Sequence, residues 1–269
     1  MTASLVTTEL RGAVLIVKLN SPDTRNSLTV ELRQQLGHII ADAEQDRAVR
    51  TIYLCGEGAS FCSGGDLRML QNSKTPWPVH RRFRQHGHWL TPLTMLDKPV
   101  VVGVQGYAVG GGMGLALAGD VIFAAESAKF VAGFFRLGAI PDIGIMYQLP
   151  RLIGMSRAKN FLFGGDTIDA QEALQLGLVR EVVPDSQLHA VGLAEAERLA
   201  AGPAEVMGLA KLLMNRAFES TLEQMLTNEG LGQVLAMSSA EFNEGLEAAL
   251  QKRPADFVGA VARDIASSR

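Results

Sequence analysis

Two glycine-bearing turns and one aspartate carry the chemistry this sequence could do. Gly110-Gly111-Gly112 follows the β-branched run Val100–Val104 and opens a stretch of small residues over 113–118. Consecutive glycines remove every side chain where the backbone must bend and another group must come close. Free N–H groups at the start of a helix there would face negative charge, either a phosphate or an oxygen that becomes negative during a reaction. A second turn, Phe61-Cys62-Ser63-Gly64-Gly65-Asp66, also leaves backbone N–H groups accessible between small residues. Two such turns supplying one N–H each can form an oxyanion hole. Asp142 stands in Gly138-Ala-Ile-Pro-Asp-Ile-Gly144, near Phe130, Phe134, Phe135, Ile140, Ile143 and Ile145. A carboxylate in apolar surroundings holds its proton more tightly, which suits it to accept and return one. The plainer alternative is a turn aspartate after proline.

The other candidates have plainer readings. Gly110-Gly-Gly-Met-Gly114 does not match a dinucleotide fingerprint, because its third glycine falls one place early and Asp120 precedes a strand instead of ending one. Close helix–strand packing alone remains an alternative for these glycines. His80, His86 and His88 lack the spacing of a zinc site, Cys62 reads as a small buried side chain, and Asp66 reads as the cap of a following helix.

These residues need a scaffold of alternating elements. The sequence predicts a hairpin over 6–19, a helix over 27–44 with Leu28, Leu32, Leu36, Ile39 and Ile40 on one face, and a buried strand over 51–55. Residues 71–88, with Pro76 and Pro78, read as a surface loop running into a helix; further strands are predicted over 121–125 and 129–131. Strands alternating with helices give an α/β class with parallel units. Their spacing resembles the repeated turn of a β-solenoid more than a flat doubly wound sheet. From about residue 186 the β-branched runs stop, and helices are predicted over 188–201, 204–219, 222–236 and 240–252, the last ending before Pro254. The expected organisation is a core over 1–199 and a helical region over 200–269.

Composition narrows the function classes. With 47% hydrophobic and 20% charged residues, the 269-residue chain has the balance of an enzyme with a substantial core. A net charge of -3 without a basic run argues against nucleic acid, and two cysteines, Cys55 and Cys62, suggest a reducing compartment. No basic, apolar leader opens the sequence and no run of eighteen apolar residues occurs, so the expectation is a cytoplasmic protein without a membrane span.

Phe61-Cys-Ser-Gly-Gly-Asp66, followed some forty residues on by Gly106-Tyr-Ala-Val-Gly-Gly-Gly112, resembles the paired signature of the crotonase (enoyl-CoA hydratase/isomerase) superfamily. Asn26-Ser-Leu28, Gly138-Ala-Ile-Pro141, Leu149-Pro-Arg-Leu-Ile-Gly154, Ala170-Gln-Glu-Ala-Leu-Gln-Leu-Gly-Leu-Val179 and Lys252-Arg-Pro-Ala-Asp-Phe257 are similar to that family too, so the resemblance spans essentially the whole chain. It implies a crotonase-like β-spiral (ClpP/crotonase) core with a C-terminal helical trimerisation region, assembled as a homotrimer or a dimer of trimers. It implies an acyl-coenzyme A thioester substrate, with coenzyme A as part of that substrate, and no other cofactor or metal. By motif match, the Ser63 and Gly111 N–H groups polarise the thioester carbonyl. Gly64, Gly65, Asp66 and Phe134 fall at substrate-binding positions, while Arg25 and Lys252 could meet the coenzyme A phosphates or be solvated surface charges.

The departures from the family pattern weigh as much as the matches. Hydratases of this family carry two glutamates; this chain has Gly114 at one position and Phe134 at the other. Hydration wants one group to activate water and another to manage the α proton. An isomerase needs only one carboxylate, and the family places an acid at the Asp142 position in several branches. The expectation is therefore an isomerase that shuttles a proton through an enolate. The alternatives are a hydratase, a dehalogenase-like enzyme using Asp142 as nucleophile, and an acyl-CoA-binding protein without catalysis. The dehalogenase pattern wants a tryptophan where this chain has Phe134 and a histidine at the Gly87 position, between His86 and His88.

Overall fold

The computed structural model describes residues 4–66 and 75–267. Strands β1 (Val6–Arg11) and β2 (Val14–Leu19) form the predicted antiparallel hairpin, Val6 opposite Leu19. From β2 the sheet continues in parallel through β3 (Thr51–Gly56), β4 (Val100–Val104), β6 (Val121–Ala125) and β9 (Glu181–Val183). A second sheet holds β5 (Tyr107–Val109), β7 (Lys129–Val131) and β8 (Thr167–Asp169). The chain passes from β4 directly into β5 and from β6 into β7, so each turn lays one strand in each sheet. After β3, Cys62 makes a single parallel bridge to Ala108 and begins the second layer there. This two-layered coil is the spiral that the strand spacing implied.

Strand alternation divides the core. Ile52, Leu54, Val100 and Val102 face one hydrophobic cluster together with Phe61, Met113 and Phe130. Tyr53, Cys55, Val101 and Phe123 face the opposite cluster, under the Leu188–Ala201 helix. A period of two sends successive side chains to opposite faces, so strands covered on both sides carry apolar residues at nearly every position. β3 and β4 are buried along their whole lengths.

The Val30–Gln45 helix starts later than the pattern suggested. Thr29 is its cap, accepting from the Leu32 N–H, and the Leu28 N–H is diverted to the Gly64 carbonyl at 2.8 Å. The loop expected over 71–88 is largely helical among its described residues, with helices Pro76–Arg84 and Gly87–Thr94. Pro76 and Pro78 sit in the first turn, where a missing N–H costs no helix hydrogen bond. The cap expected at Asp66 would serve residues 67–74, which lie outside the described residues.

The C-terminal region comprises helices Ala204–Met214, Leu222–Met237, Ala240–Gln251 and Phe257–Ser267. The first is shorter than predicted because Asn215 turns away, its Nδ2 donating to the Thr94 carbonyl at 2.9 Å. The last was not expected beyond Pro254. The Asp256 carboxylate accepts from the Gly259 N–H at 2.8 Å and starts it, and Ala260 and Val261 are buried.

A buried ion pair ties these helices to the sheet. Arg50, just before β3, donates from Nη2 to Glu241 at 2.7 Å, and Glu241 also accepts from the Val206 N–H at 3.0 Å; both side chains are fully enclosed. Replacing one partner leaves the other charge buried alone, so Glu241→Ala is expected to cost about 3–5 kcal/mol of stability. A urea midpoint equal to that of the parent protein would contradict this. Among the described residues no helix is long and apolar enough to cross a membrane.

Candidate active site

The turn at residues 57–66 is shaped by Asn26. This residue is fully buried with φ +55°, a left-handed conformation that asparagine tolerates better than most residues. Its Nδ2 donates to the carbonyls of Glu57 (2.9 Å), Ser60 (3.0 Å) and Phe61 (3.1 Å), and its Oδ1 accepts from the Ser21 N–H at 2.8 Å. The Cys62 thiol donates to the Asn26 carbonyl at 3.0 Å. Burial pushes that thiol up to about 12, so Cys62 stays protonated and packs, as expected. One side chain thus satisfies most of a tight turn that has little secondary structure of its own.

The two glycine turns abut each other. A Cβ on Gly64 would lie 2.3 Å from the Val109 carbonyl oxygen and 3.2 Å from the Gly111 nitrogen, and one on Gly112 would lie 2.2 Å from the Cys62 carbonyl oxygen. Gly64 also has φ +81°. No other residue type fits this approach without displacing backbone.

A cavity of about 320 Å³ opens where the turns meet, and Ser63, Gly65, Gly111, Phe134 and Asp142 all line it. Asp66 lines it as well. Arg25 and Lys252 do not line it. Arg25 is left-handed at φ +52° and contributes its carbonyl to the turn, while Lys252 closes the Ala240–Gln251 helix at φ +56°.

The donor implied at Ser63 requires correction. The Ser63 N–H donates to the Arg25 carbonyl at 2.9 Å, and its hydroxyl donates to the Thr24 carbonyl at 3.2 Å. That amide is committed to holding the turn in place. Two residues on, Gly65 lines the cavity and its N–H makes no hydrogen bond among the described residues. The Gly111 N–H likewise has no backbone acceptor, since it belongs to the first turn of the Gly111–Leu117 helix. The sequence showed that two turns meet, but not which amide of the first one faces inward.

Asp142 is half-buried against Ile143 and the mouth of the helix. Its Oδ1 lies 3.8 Å from where a Cβ on Gly111 would sit. Loss of hydration raises its carboxyl to about 6, against the opposing pull of the Arg33 guanidinium. Ile143 follows in a left-handed conformation, φ +49°, and Gly144 has φ +75°. A β-branched residue in that region costs on the order of 1–3 kcal/mol and persists only where its surroundings hold it.

Two further polar residues line the same cavity. Arg33 is anchored by Nε to the Thr29 carbonyl at 3.1 Å, and its Nη1 meets His86 Nε2 at 2.5 Å. A guanidinium only donates, so Nε2 is the acceptor in this contact. Nothing in the sequence marks Arg33, because it sits one turn into an amphipathic helix, where an arginine reads as a solvated charge. Asp120 is structural, accepting from the Val100 N–H and from Lys211 Nζ at 2.7 Å each. Among the described residues no three His, Cys, Asp or Glu side chains come together as metal ligands would.

A family model described as enoyl-CoA hydratase/isomerase matches residues 9–260. The 1,2-epoxyphenylacetyl-CoA isomerase of Escherichia coli (strain K12) is 36% identical over 260 residues, covering 94% of this chain and 98% of that protein. The mitochondrial enoyl-CoA hydratase of Pongo abelii is 34% identical, with 93% of this chain and 86% of that protein covered. Among solved structures, an enoyl-CoA hydratase/isomerase from Cupriavidus metallidurans CH34 superposes with a TM-score of 0.90 at 30% identity, covering 96% of this chain and 97% of that one.

Proposed function

The chain belongs to the enoyl-CoA hydratase/isomerase family, and on that premise we propose that it is an acyl-CoA isomerase that moves a proton through a thioester enolate. The observation that carries this reading is the half-buried Asp142 carboxyl sharing one cavity with the Gly65 and Gly111 backbone amides; Asp66 is the one other carboxyl of that lining among the described residues. The thioester carbonyl accepts from those two N–H groups. As Asp142 removes a proton beside the carbonyl, negative charge builds on that oxygen. A preorganised donor aimed at it lowers the barrier by about 2.7–4 kcal/mol. The protonated Asp142 then returns the proton at another carbon of the conjugated system.

A carboxyl near pKa 6 is mostly ionised at neutral pH, yet it is a stronger base than an ordinary carboxylate. Hydration is disfavoured because Gly114 and Phe134 stand where family hydratases carry the two glutamates that activate water and manage the α proton. The name of the Escherichia coli relative supports isomerisation, and that of the mitochondrial relative supports hydration. The absence of both glutamates, with Asp142 at the cavity, favours the former. Coenzyme A enters only as part of the substrate.

The test is incubation with a 3-enoyl-CoA in D₂O. Deuterium incorporation with formation of the conjugated 2-enoyl isomer is expected. Accumulation of a 3-hydroxyacyl-CoA as the main product would overturn the assignment, and binding without any exchange would favour a protein that only holds acyl-CoA.

The helical region supports self-association, as a trimer or a dimer of trimers. Leu222, Leu226, Leu231, Val234 and Leu235 expose more than half of their surfaces along the Leu222–Met237 helix, and Leu250 is 77% exposed on the next. So many large apolar side chains exposed on two neighbouring helices are rarely left to water. Light scattering is expected to give three or six chain masses, with Val234→Lys shifting the protein toward a single chain. A monomer in the parent protein would contradict this reading.

A further inference from the structure

The segment that carries Asp142 is wedged directly against the glycine helix. A Cβ on Gly114 would lie 2.3 Å from the Ile143 carbonyl oxygen and 2.9 Å from the Ile143 Cβ. Higher on the same face, Ile143 Cγ1 lies 3.0 Å from where a Cβ on Gly111 would sit. Ile143 is buried, and it is left-handed at φ +49° with Gly144 left-handed behind it. Two such residues in succession reverse the chain immediately after the carboxylate, and the Ile145 N–H closes the turn on the Asp142 carbonyl at 3.2 Å. Nothing local rewards an isoleucine for that conformation. What holds it is the fit of its side chain beside Gly111 and of its backbone into the space that Gly114 leaves.

We propose that Gly114 and left-handed Ile143 form a lock that aims the Asp142 carboxyl at the oxyanion turn, and that a side chain at 114 would displace it. Both are positioning residues, because neither transfers the proton. The inference rests on the reading of Asp142 as the proton-transfer group. It also gives the glycine at 114 a purpose. The residue is small because the chain carrying a different acid occupies its side-chain volume. It follows that Gly114→Glu would not convert the enzyme to a hydratase; it would push residues 142–144 away and lose the existing activity.

The test is Gly114→Ala, read by deuterium exchange, by affinity for a non-reactive acyl-CoA analogue and by the pH dependence of the exchange rate. A displacement of about 1 Å in a reacting group can cost as much as a hundredfold, so the exchange rate is expected to fall about ten- to a hundredfold. Analogue affinity should hold within about threefold, since the oxyanion turn itself is not altered. The acid limb of the pH profile should move below its parent midpoint as the carboxyl gains water. A folded Gly114→Ala protein with parental rate and midpoint would overturn the lock.

If that variant does not fold, Ile143→Gly provides the second arm. It accepts the left-handed backbone but removes the side-chain wedge, and the same fall in rate and midpoint is expected. A parental rate there would equally overturn the proposal. Asp142→Asn run in parallel separates the two layers of the argument. Exchange surviving in Asp142→Asn removes the functional reading, whereas an inactive Asp142→Asn beside fully active Gly114 and Ile143 variants removes only the lock.

Discussion

Asp142→Asn is expected to reduce α-proton exchange by a factor of order 10² or more while leaving acyl-CoA affinity nearly intact. The amide fills the same space beside Gly111 and Ile143 but cannot accept a proton. The rate of the parent enzyme should rise with pH through about 6, because the ionised carboxylate is the base. That limb should vanish in the variant. An Asn variant that turns over at the parental rate would mean that another group moves the proton.

The same substitution carries a stability consequence of opposite sign. The Asp142 proton is held up to about 6 in the folded protein, against 3.8 as an ordinary carboxyl. Between those values the native state binds more protons than the unfolded one, so this group's contribution to stability falls as pH rises through that window. Asp142→Asn lacks the ionised form. It is therefore expected to melt at a higher temperature than the parent at pH 7, with the difference shrinking toward pH 4. Equal melting temperatures at pH 7 would show that the carboxylate is not held under strain.

Gly64→Ala is expected to have an effect of similar size by a different route. Its methyl would sit 2.3 Å from the Val109 carbonyl oxygen, on a backbone with φ +81°. The two turns must separate to admit it, and their amides can then no longer converge on one oxygen. Loss of one oxyanion donor costs about 10²–10³ in rate, and the positive φ adds about 1–3 kcal/mol of destabilisation. Exchange kinetics on protein shown to be folded by circular dichroism check this. A parental rate would mean that the turns need not touch for catalysis.

The residues differ in how legible they were. The apolar runs 51–55 and 100–104 announced buried strands, and a carboxyl among phenylalanines and isoleucines announced a shifted acid at Asp142. Both follow from local composition. Residues 71–88 read as a loop running into a helix, yet 76–84 and 87–94 are helical, because proline signals both a break and a helix start and only the neighbours decide which. The Phe257–Ser267 helix was missed because Pro254 looked terminal, while the cap that restarts the chain is a single carboxylate, Asp256.

The oxyanion turn shows the boundary most clearly. Glycine content and spacing told that two backbones bend and leave amides exposed, since only residues without side chains permit such an approach. Which amide is spent holding the turn and which faces the cavity depends on acceptors far away in sequence. The Ser63 N–H is taken by Arg25, and Asn26 binds three carbonyls across the turn. Arg33 and His86 join the same cavity from 53 residues apart, with no pattern linking them. By itself the sequence determined the chemistry that is available: paired glycine turns, one acid and no second glutamate. Tertiary structure alone decided where that chemistry points, because hydrogen-bond partners and steric fit between distant segments select one orientation of a backbone that the local residues leave free.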